Sequence, residues 1–339
     1  MVQQSKKTMT YRVRAVLLLS PFLLAQILVA AAPQVLSAEL RPETVEGFQR
    51  YVVATEARVR KQVARPDSFL YIDGLSQQRR SEVQQLMKQG KIFIERLESR
   101  DASGNVIEAP GGLIHHWIGD VFIPGASIGQ VLNLVEDYAH QQDLYQPDVV
   151  RSRLLSHNGD DFKVFLRFRE KKVVTVTMDT VHEVHYSRLD GAHWYSQSAA
   201  TRIAEVENPD KPNEREKPPG HDGGFLWRLN SYWRFAEQDG GVYVEAESIS
   251  LTRDIPTGLG WLVGPFVTSI PKESLERTLG STRSAVLARI ETNPRKAAAS
   301  PLKSPKNVSS ARMQRATLAP LGASEPGRRT LFSRPESGG

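Results

Sequence analysis

The sequence predicts an α+β fold in which a curved antiparallel sheet wraps around one long C-terminal helix and encloses a hydrophobic cavity. Three observations predict it. Two alternating runs, Phe225–Glu237 and Val242–Thr252, meet at Asp239-Gly240-Gly241. They lead into the loop Gly258–Val267 and then a helical period from about Pro271 to Ile290. Upstream, Asn158-Gly159 and Asp190-Gly191 are further hairpin signals between alternating segments. Such tight hairpins exclude a parallel dinucleotide-binding sheet, whose strands need helical crossovers.

The ends of the 339-residue chain differ from its middle. Lys6, Lys7, Arg12 and Arg14 precede an apolar run from Ala15 to Ala32 and the small pair Ser37-Ala38. That order predicts a secretory signal over 1–38, cleaved after Ala38 or Ala32, and therefore an exported, periplasmic or secreted protein. An uncleaved membrane anchor is the alternative, weakened by Ser20, Pro21 and Gln26 within the run. Residues 294–339 are rich in Ala, Ser, Pro, Lys and Arg without periodicity, a composition expected to stay disordered. These two ends hold the excess base, so the pI of 9.4 reflects them while 39–293 is net acidic. A nucleic-acid footprint must sit on the fold, so nucleic acid is not an expected partner. With no cysteine there is neither a disulfide nor a thiolate metal site.

Residues 39–111 form an N-terminal extension. Arg41-Pro42-Glu43-Thr44 opens a helix to about Val63, with Val45, Phe48, Val52 and Val53 on its buried face. A polar helix covers Ser76–Lys88, and Lys91–Ser99 alternates imperfectly before the turn Ser103-Gly104-Asn105. The main domain, 112–293, starts with a strand Leu113–Ile123. Ser127 then caps a helix expected to reach Leu144, with Ile128, Val131, Leu132, Val135 and Tyr138 on one face. Four strands follow, Val149–His157, Phe162–Glu170, Val173–Leu189 and Ala192–Glu207. Asn208–Gly224 is too long for a simple hairpin loop and reads as a flexible insertion or a lid.

Strand faces nominate the cavity lining. Phe162, Val164, Leu166 and Phe168 share one face, as do Val174, Val176, Met178, Val184 and Tyr186. If Asp190-Gly191 is a two-residue loop, Tyr186 pairs with Tyr195, Val184 with Gln197 and His182 with Ala199. Thr180, His182 and Gln197 then interrupt the apolar wall, as groups that orient a ligand do. Trp227, Leu229, Trp233 and Phe235 form the apolar face of the next strand. Glu245 and Glu247, in phase with Arg228 and Arg234, are expected on the outer face as a solvated ion-pair ladder. The competing reading puts them on the cavity floor, where a buried carboxylate could act as acid or base.

Other chemistry is weakly signalled. His182 and His185 lie three apart on a strand and so face opposite ways, as do His115 and His116. No metal or cofactor is expected. A Gly-x-Ser-x-Gly nucleophile turn is absent. The glycines of Gly258-x-Gly260-x-x-x-Gly264 flank bulky Trp261, Leu262 and Val263, and Pro265 removes an amide donor. The segment fits a hinged apolar lip, with Trp261 and Phe266 suited to a membrane surface, better than a phosphate cradle. Pro271 is expected as the first residue of the final helix, with Leu275, Leu279, Val286 and Ile290 buried.

The order of elements over 112–290 resembles the START-like, helix-grip superfamily, which includes polyketide cyclase/dehydrase-like and coenzyme Q-binding Coq10-type proteins. The likeness is carried by Gly125-Ala126-Ser127, Ser231-Tyr232-Trp233-Arg234-Phe235, Gly241-Val242-Tyr243-Val244-Glu245 and Gly258–Val267. It implies a sheet gripping the last helix around an elongated hydrophobic cavity. Residues 1–111 and 294–339 are not parts of that common core. The expectation is an exported binder of a lipid, quinone or isoprenoid-like molecule, with contact to a membrane surface and no catalysis. Two readings stay open beside it: a cyclase- or hydrolase-like enzyme using a buried Glu or His, and an envelope interaction module.

Overall fold

The computed structural model describes residues 39–172, 175–218, 221–255 and 260–292, without the side chains of 260–268. The expected signal and basic tail, Val174 and the 256–259 part of the expected lip lie outside the described residues.

Helix α1 runs Pro42–Val63 and helix α2 Gln77–Lys88, with Ser76 Oγ capping the Arg79 amide. Short 3-10 turns at Pro66–Ser68 and Tyr71–Gly74 connect them. Strand β1, Phe93–Arg96, pairs with β2, Gly112–Pro124. Helices α3, Ile128–Val135, and α4, Gln141–Leu144, carry the chain to the far edge of the sheet. There β3 (Val149–Asn158), β4 (Asp161–Lys171), β5 (Thr175–Arg188) and β6 (His193–Glu207) form an antiparallel meander. A two-residue strand β7, Arg215–Glu216, pairs only with β6. Strands β8 (Arg228–Gln238) and β9 (Gly241–Arg253) bring the chain back beside β2. Helix α5, Gly260–Thr292, follows β9 as the last element among the described residues.

The sheet order is β1-β2-β9-β8-β6-β5-β4-β3, antiparallel throughout. First and last core strands are neighbours, and the last leads into the long helix. This is the expected helix-grip arrangement, an α+β fold with a large curved antiparallel sheet and a long C-terminal helix.

Each face of the sheet has its own core. On the concave face Val121, Val164, Val184, Tyr186, Val244 and Ala246 pack with α3 and with Leu275, Leu279 and Val286 of α5. Gly119 makes this approach possible, because a Cβ there would lie 2.7 Å from the Leu279 Cδ1 and 2.5 Å from the Ile94 Cδ1. On the outer face Phe48, Tyr51, Val52 and Val59 of α1 pack on Tyr232, Ile249 and Leu251. The 69–87 segment covers Phe122, Ala236 and Tyr243. The N-terminal extension thus adds one strand to the sheet and roofs its outer face.

Several expectations are corrected. Val53 is exposed, because the buried stripe of α1 runs through Tyr51, Val52, Thr55, Glu56 and Val59. Helix α3 stops at Val135, nine residues before the expected Leu144. The Gln141 side chain caps the Val135 carbonyl at 2.9 Å, and Asp137 holds the His140 ring at 2.8 Å, drawing the chain out of the helix. Asn158 pairs with Asp161, so the first hairpin loop is Gly159-Asp160, displaced by one residue. Helix α5 begins at Gly260 and not Pro271. The expected lip from Gly260 onward is helical, and each proline within it removes a single main-chain hydrogen bond. Within the segment expected as a flexible insertion or a lid, Arg215–Glu216 pairs with the end of β6. Glu214 and Asp179 grip the Arg167 guanidinium on the outer face of β4 and β5.

Candidate functional site

Register across five strands defines the concave surface. Residues directly opposite on antiparallel neighbours point to the same face. One row reads Val184, Ser198, Ser231, Ser248, Trp117 across β5, β6, β8, β9 and β2. The row displaced by two residues toward the start of β5 begins at His182 beside Ala200 and ends with Ser250 beside His115. A third, on the other side, holds Tyr186, Ser196, Trp233, Ala246 and Gly119. The described side chains of α5 pack against the Gly119–Ile123 end of β2 and the facing residues of β9. From Trp233, opposite Ala246, onward to Trp117, Ser231, Ser248 and Leu229, the face is only half-buried.

The nominated lining residues divide accordingly. Val164, Val184 and Tyr186 are on the concave face but buried in its packed core; the Tyr186 hydroxyl meets that of Tyr138 at 2.9 Å. Leu166 and Trp233 are half-buried at the margin of that core. Met178 pairs with Phe168, and Val176 follows on the same face. His182 lies 5% exposed, its ring edge-on to Phe168 at 6.2 Å between centroids.

Two nominations need revision. Gln197 lies on the outer face, where its Nε2 donates to Glu56 Oε1 at 3.0 Å. The reason is the hairpin loop: it has three residues, Asp190-Gly191-Ala192, so Tyr186 pairs with Ser196, Val184 with Ser198 and His182 with Ala200. One step of register turns a residue to the opposite face. Trp227 belongs to the outer cluster under α1, and its Nε1 donates to Asp222 at 3.0 Å. It precedes the first strand residue, Arg228, so the strand alternation does not extend to it. Trp261 and Phe266 are in α5, with side chains outside the description.

Sequence reasoning missed Trp117, the serine row and His115. Their signal was present as strand parity. Reading it across β6 and β8 requires knowing that these strands pair over the intervening insertion.

The polar details of the concave face are well defined. Thr180 Oγ1 donates to the Leu166 carbonyl at 2.9 Å, and His182 Nε2 contacts the same Oγ1 at 2.9 Å. Burial pushes the His182 pKa down to about 4. His115 Nε2 contacts Thr252 Oγ1 at 3.0 Å, and Thr252 donates on to the Arg253 carbonyl at 3.2 Å. Burial, then the nearby Arg96 charge, lowers the His115 pKa to about 4.

The carboxylates are elsewhere. Glu245, Glu247, Arg234 and Asp120 all lie on the outer face, each 0% exposed. The outer face was expected, but the expected solvation is not found: α1 and the Tyr71 amide cover the ladder. Arg234 bridges Glu245 and Glu247, while Arg228 takes no part and donates to the Trp227 carbonyl. Among the described residues no group of three or more His, Asp or Glu is placed to hold a metal ion.

No family model and no curated protein matches the chain. Solved structures do. A STAR-related lipid transfer protein from Xanthomonas axonopodis is 19% identical, covering 56% of this chain and 98% of its own, with a TM-score of 0.35. The Zhui aromatase/cyclase from Streptomyces sp. R1128 is 15% identical over 56% of this chain and 100% of its own, at a TM-score of 0.34. A START superfamily protein from Mycobacterium smegmatis is 11% identical over 53% and 97%, at 0.32. At such scores these likenesses carry nothing about ligand or reaction to this chain.

Proposed function

We propose that this chain is a non-enzymatic carrier that shields an apolar small molecule, lipid, quinone or isoprenoid-like, between the concave face and α5. The observation that carries the reading is that Trp117, Trp233, Leu166 and Phe168 of the concave face are only half-buried, the first three at the margin of its packed core. Large apolar side chains left partly uncovered in a concave surface are the usual lining of a ligand site. The acidic groups that an acid–base mechanism would use are on the other face, sealed beneath α1. Export of the carrier and contact with a membrane surface belong to the same proposal, supported by the charged, apolar, small-residue order of 1–38.

Native mass spectrometry of the chain purified from its own cells, followed by organic extraction, tests the carrier. A discrete apolar ligand is expected; an empty protein that also fails to bind a lipid and quinone panel overturns it. Fractionation with N-terminal sequencing tests export. Mature protein beginning near residue 33 or 39 is expected, and a cytosolic chain starting at Met1 refutes it.

A further inference from the structure

The hydrogen bonds around His182 fix which ring nitrogen is available. A hydroxyl has one hydrogen, and Thr180 gives its own to the Leu166 carbonyl. Toward His182 Nε2 it can therefore only accept, so Nε2 carries the proton and Nδ1 is a bare acceptor. Nδ1 has no partner among the described residues, and it is not among the unpartnered atoms sealed from solvent.

The surroundings restrict what can satisfy it. From β5 to β2 neither the His182 row nor the serine row contains a charged side chain; Arg96 stands beyond Trp117 on the exposed edge strand. A carboxylate or ammonium brought to His182 would be desolvated without a counter-charge, which costs several kcal/mol. A ketone, ester or ether oxygen can only accept and would face Nδ1 lone pair to lone pair. A neutral hydroxyl donates. The hydroxyls of Ser198, Ser231 and Ser248, one per strand at the neighbouring level, also lack partners among the described residues and can accept or donate toward the same group.

We propose that the concave site selects an uncharged apolar alcohol, whose hydroxyl donates to His182 Nδ1. This rests on the carrier reading and narrows it from apolar molecules in general to those with a hydroxyl donor. Burial supports it, because a His182 pKa near 4 keeps the ring an acceptor at neutral pH.

The test uses the full chain and four probes on one skeleton: dodecanol, methyl dodecyl ether, dodecanoate and dodecane, titrated in competition with an apolar dye. Dodecanol is expected to bind about tenfold more tightly than the ether, the factor for one satisfied against one unsatisfied buried acceptor. His182→Phe removes the acceptor and should bring alcohol and ether within about twofold of each other. Thr180→Val should also erode the preference, since the ring can then present Nδ1–H to the ether; a purely structural Thr180 would leave the ratio intact. Melting curves confirm that each variant folds. Equal affinity for alcohol and ether in the wild-type chain, or tightest binding of dodecanoate, overturns the hydroxyl assignment and leaves the carrier standing. Binding of none of the four overturns both.

Discussion

Arg234 and Glu247 form a fully buried ion pair on the outer face of the sheet, Nη2 to Oε2 at 2.8 Å, with both side chains 0% exposed. Neither is isolated. Arg234 also contacts Glu245 and donates to Gln62 of α1 at 2.9 Å, while Glu247 takes Arg58 of α1 and His116 Nε2, the latter at 2.7 Å. Tyr51 of α1 extends the chain, its hydroxyl 2.8 Å from His116 Nδ1. A core of charge thus fastens the N-terminal helix to the sheet.

Arg234→Met is therefore expected to destabilise the fold by about 3–5 kcal/mol, because it strands buried carboxylates without a partner. Glu247→Gln should act the same way. Burial opposes the Glu247 charge, yet the His116 hydrogen bond and the Arg58 and Arg234 charges hold its pKa down to about 2. A depressed carboxylate stabilises the fold above its unfolded value near 4.5, and that contribution is lost as pH falls toward 2. Urea unfolding between pH 7 and pH 3 checks both points. The wild-type chain should lose stability across that window, and Glu247→Gln should lose less. Ligand affinity at pH 7 should be unchanged in either variant.

Asp120 reverses the sign. It pairs directly across the strands with Glu245, and no donor reaches either of its oxygens among the described residues. Burial first, then the Glu245 charge, pushes its pKa well above the usual value, and we expect the Asp120–Glu245 pair to hold one proton between them at neutral pH. Stability from a raised carboxylate is fully present below about pH 3.8 and declines as pH rises toward the folded value. Asp120→Asn supplies the same donor without a titratable group. It should raise the melting temperature at pH 7 and have little effect near pH 3.5. Thermal melts at the two pH values decide it, and equal shifts at both would refute the shared proton.

Gly119→Ala tests the grip of α5. The added methyl meets Leu279 and Ile94 side chains and, at 3.1 Å, the Phe93 carbonyl. Overpacking of this kind costs about 1–3 kcal/mol. Differential scanning calorimetry should show the loss, and Gly119→Ala combined with Leu279→Val should recover part of it.

Much of the fold was legible because alternation and tight turns are local signals. The face Phe162, Val164, Leu166 and Phe168 needs no knowledge of its neighbours. Pairing depends on finer geometry. Asp190 accepts from the Ala192 and His193 amides at 2.7 and 2.8 Å, which widens the hairpin to three residues and moves Gln197 away from the site. The burial of Glu245 and Glu247 was hidden for another reason. Arg58, which covers Glu247, is 189 residues from it in sequence, and nothing in a strand's own pattern distinguishes a solvated face from one roofed by a distant segment.

That register can be put to a direct test with two adjacent residues. Gln197 faces α1 through Glu56, and Ser198 faces the concave side between Val184 and Ser231. Gln197→Ala leaves Glu56 with one fewer donor in a buried site, so it should cost about 1–3 kcal/mol of stability and leave apolar-dye binding alone. Ser198→Phe places a ring on the floor of the concave face and should weaken dye binding at least tenfold, with a smaller change in melting temperature because the wall above it is only half-filled. If the loop had two residues the roles would exchange: Gln197→Ala would alter binding, and Ser198→Phe would drive a ring into the α1 interface and unfold it. Paired melts and titrations on the two variants distinguish the registers without any knowledge of the natural ligand.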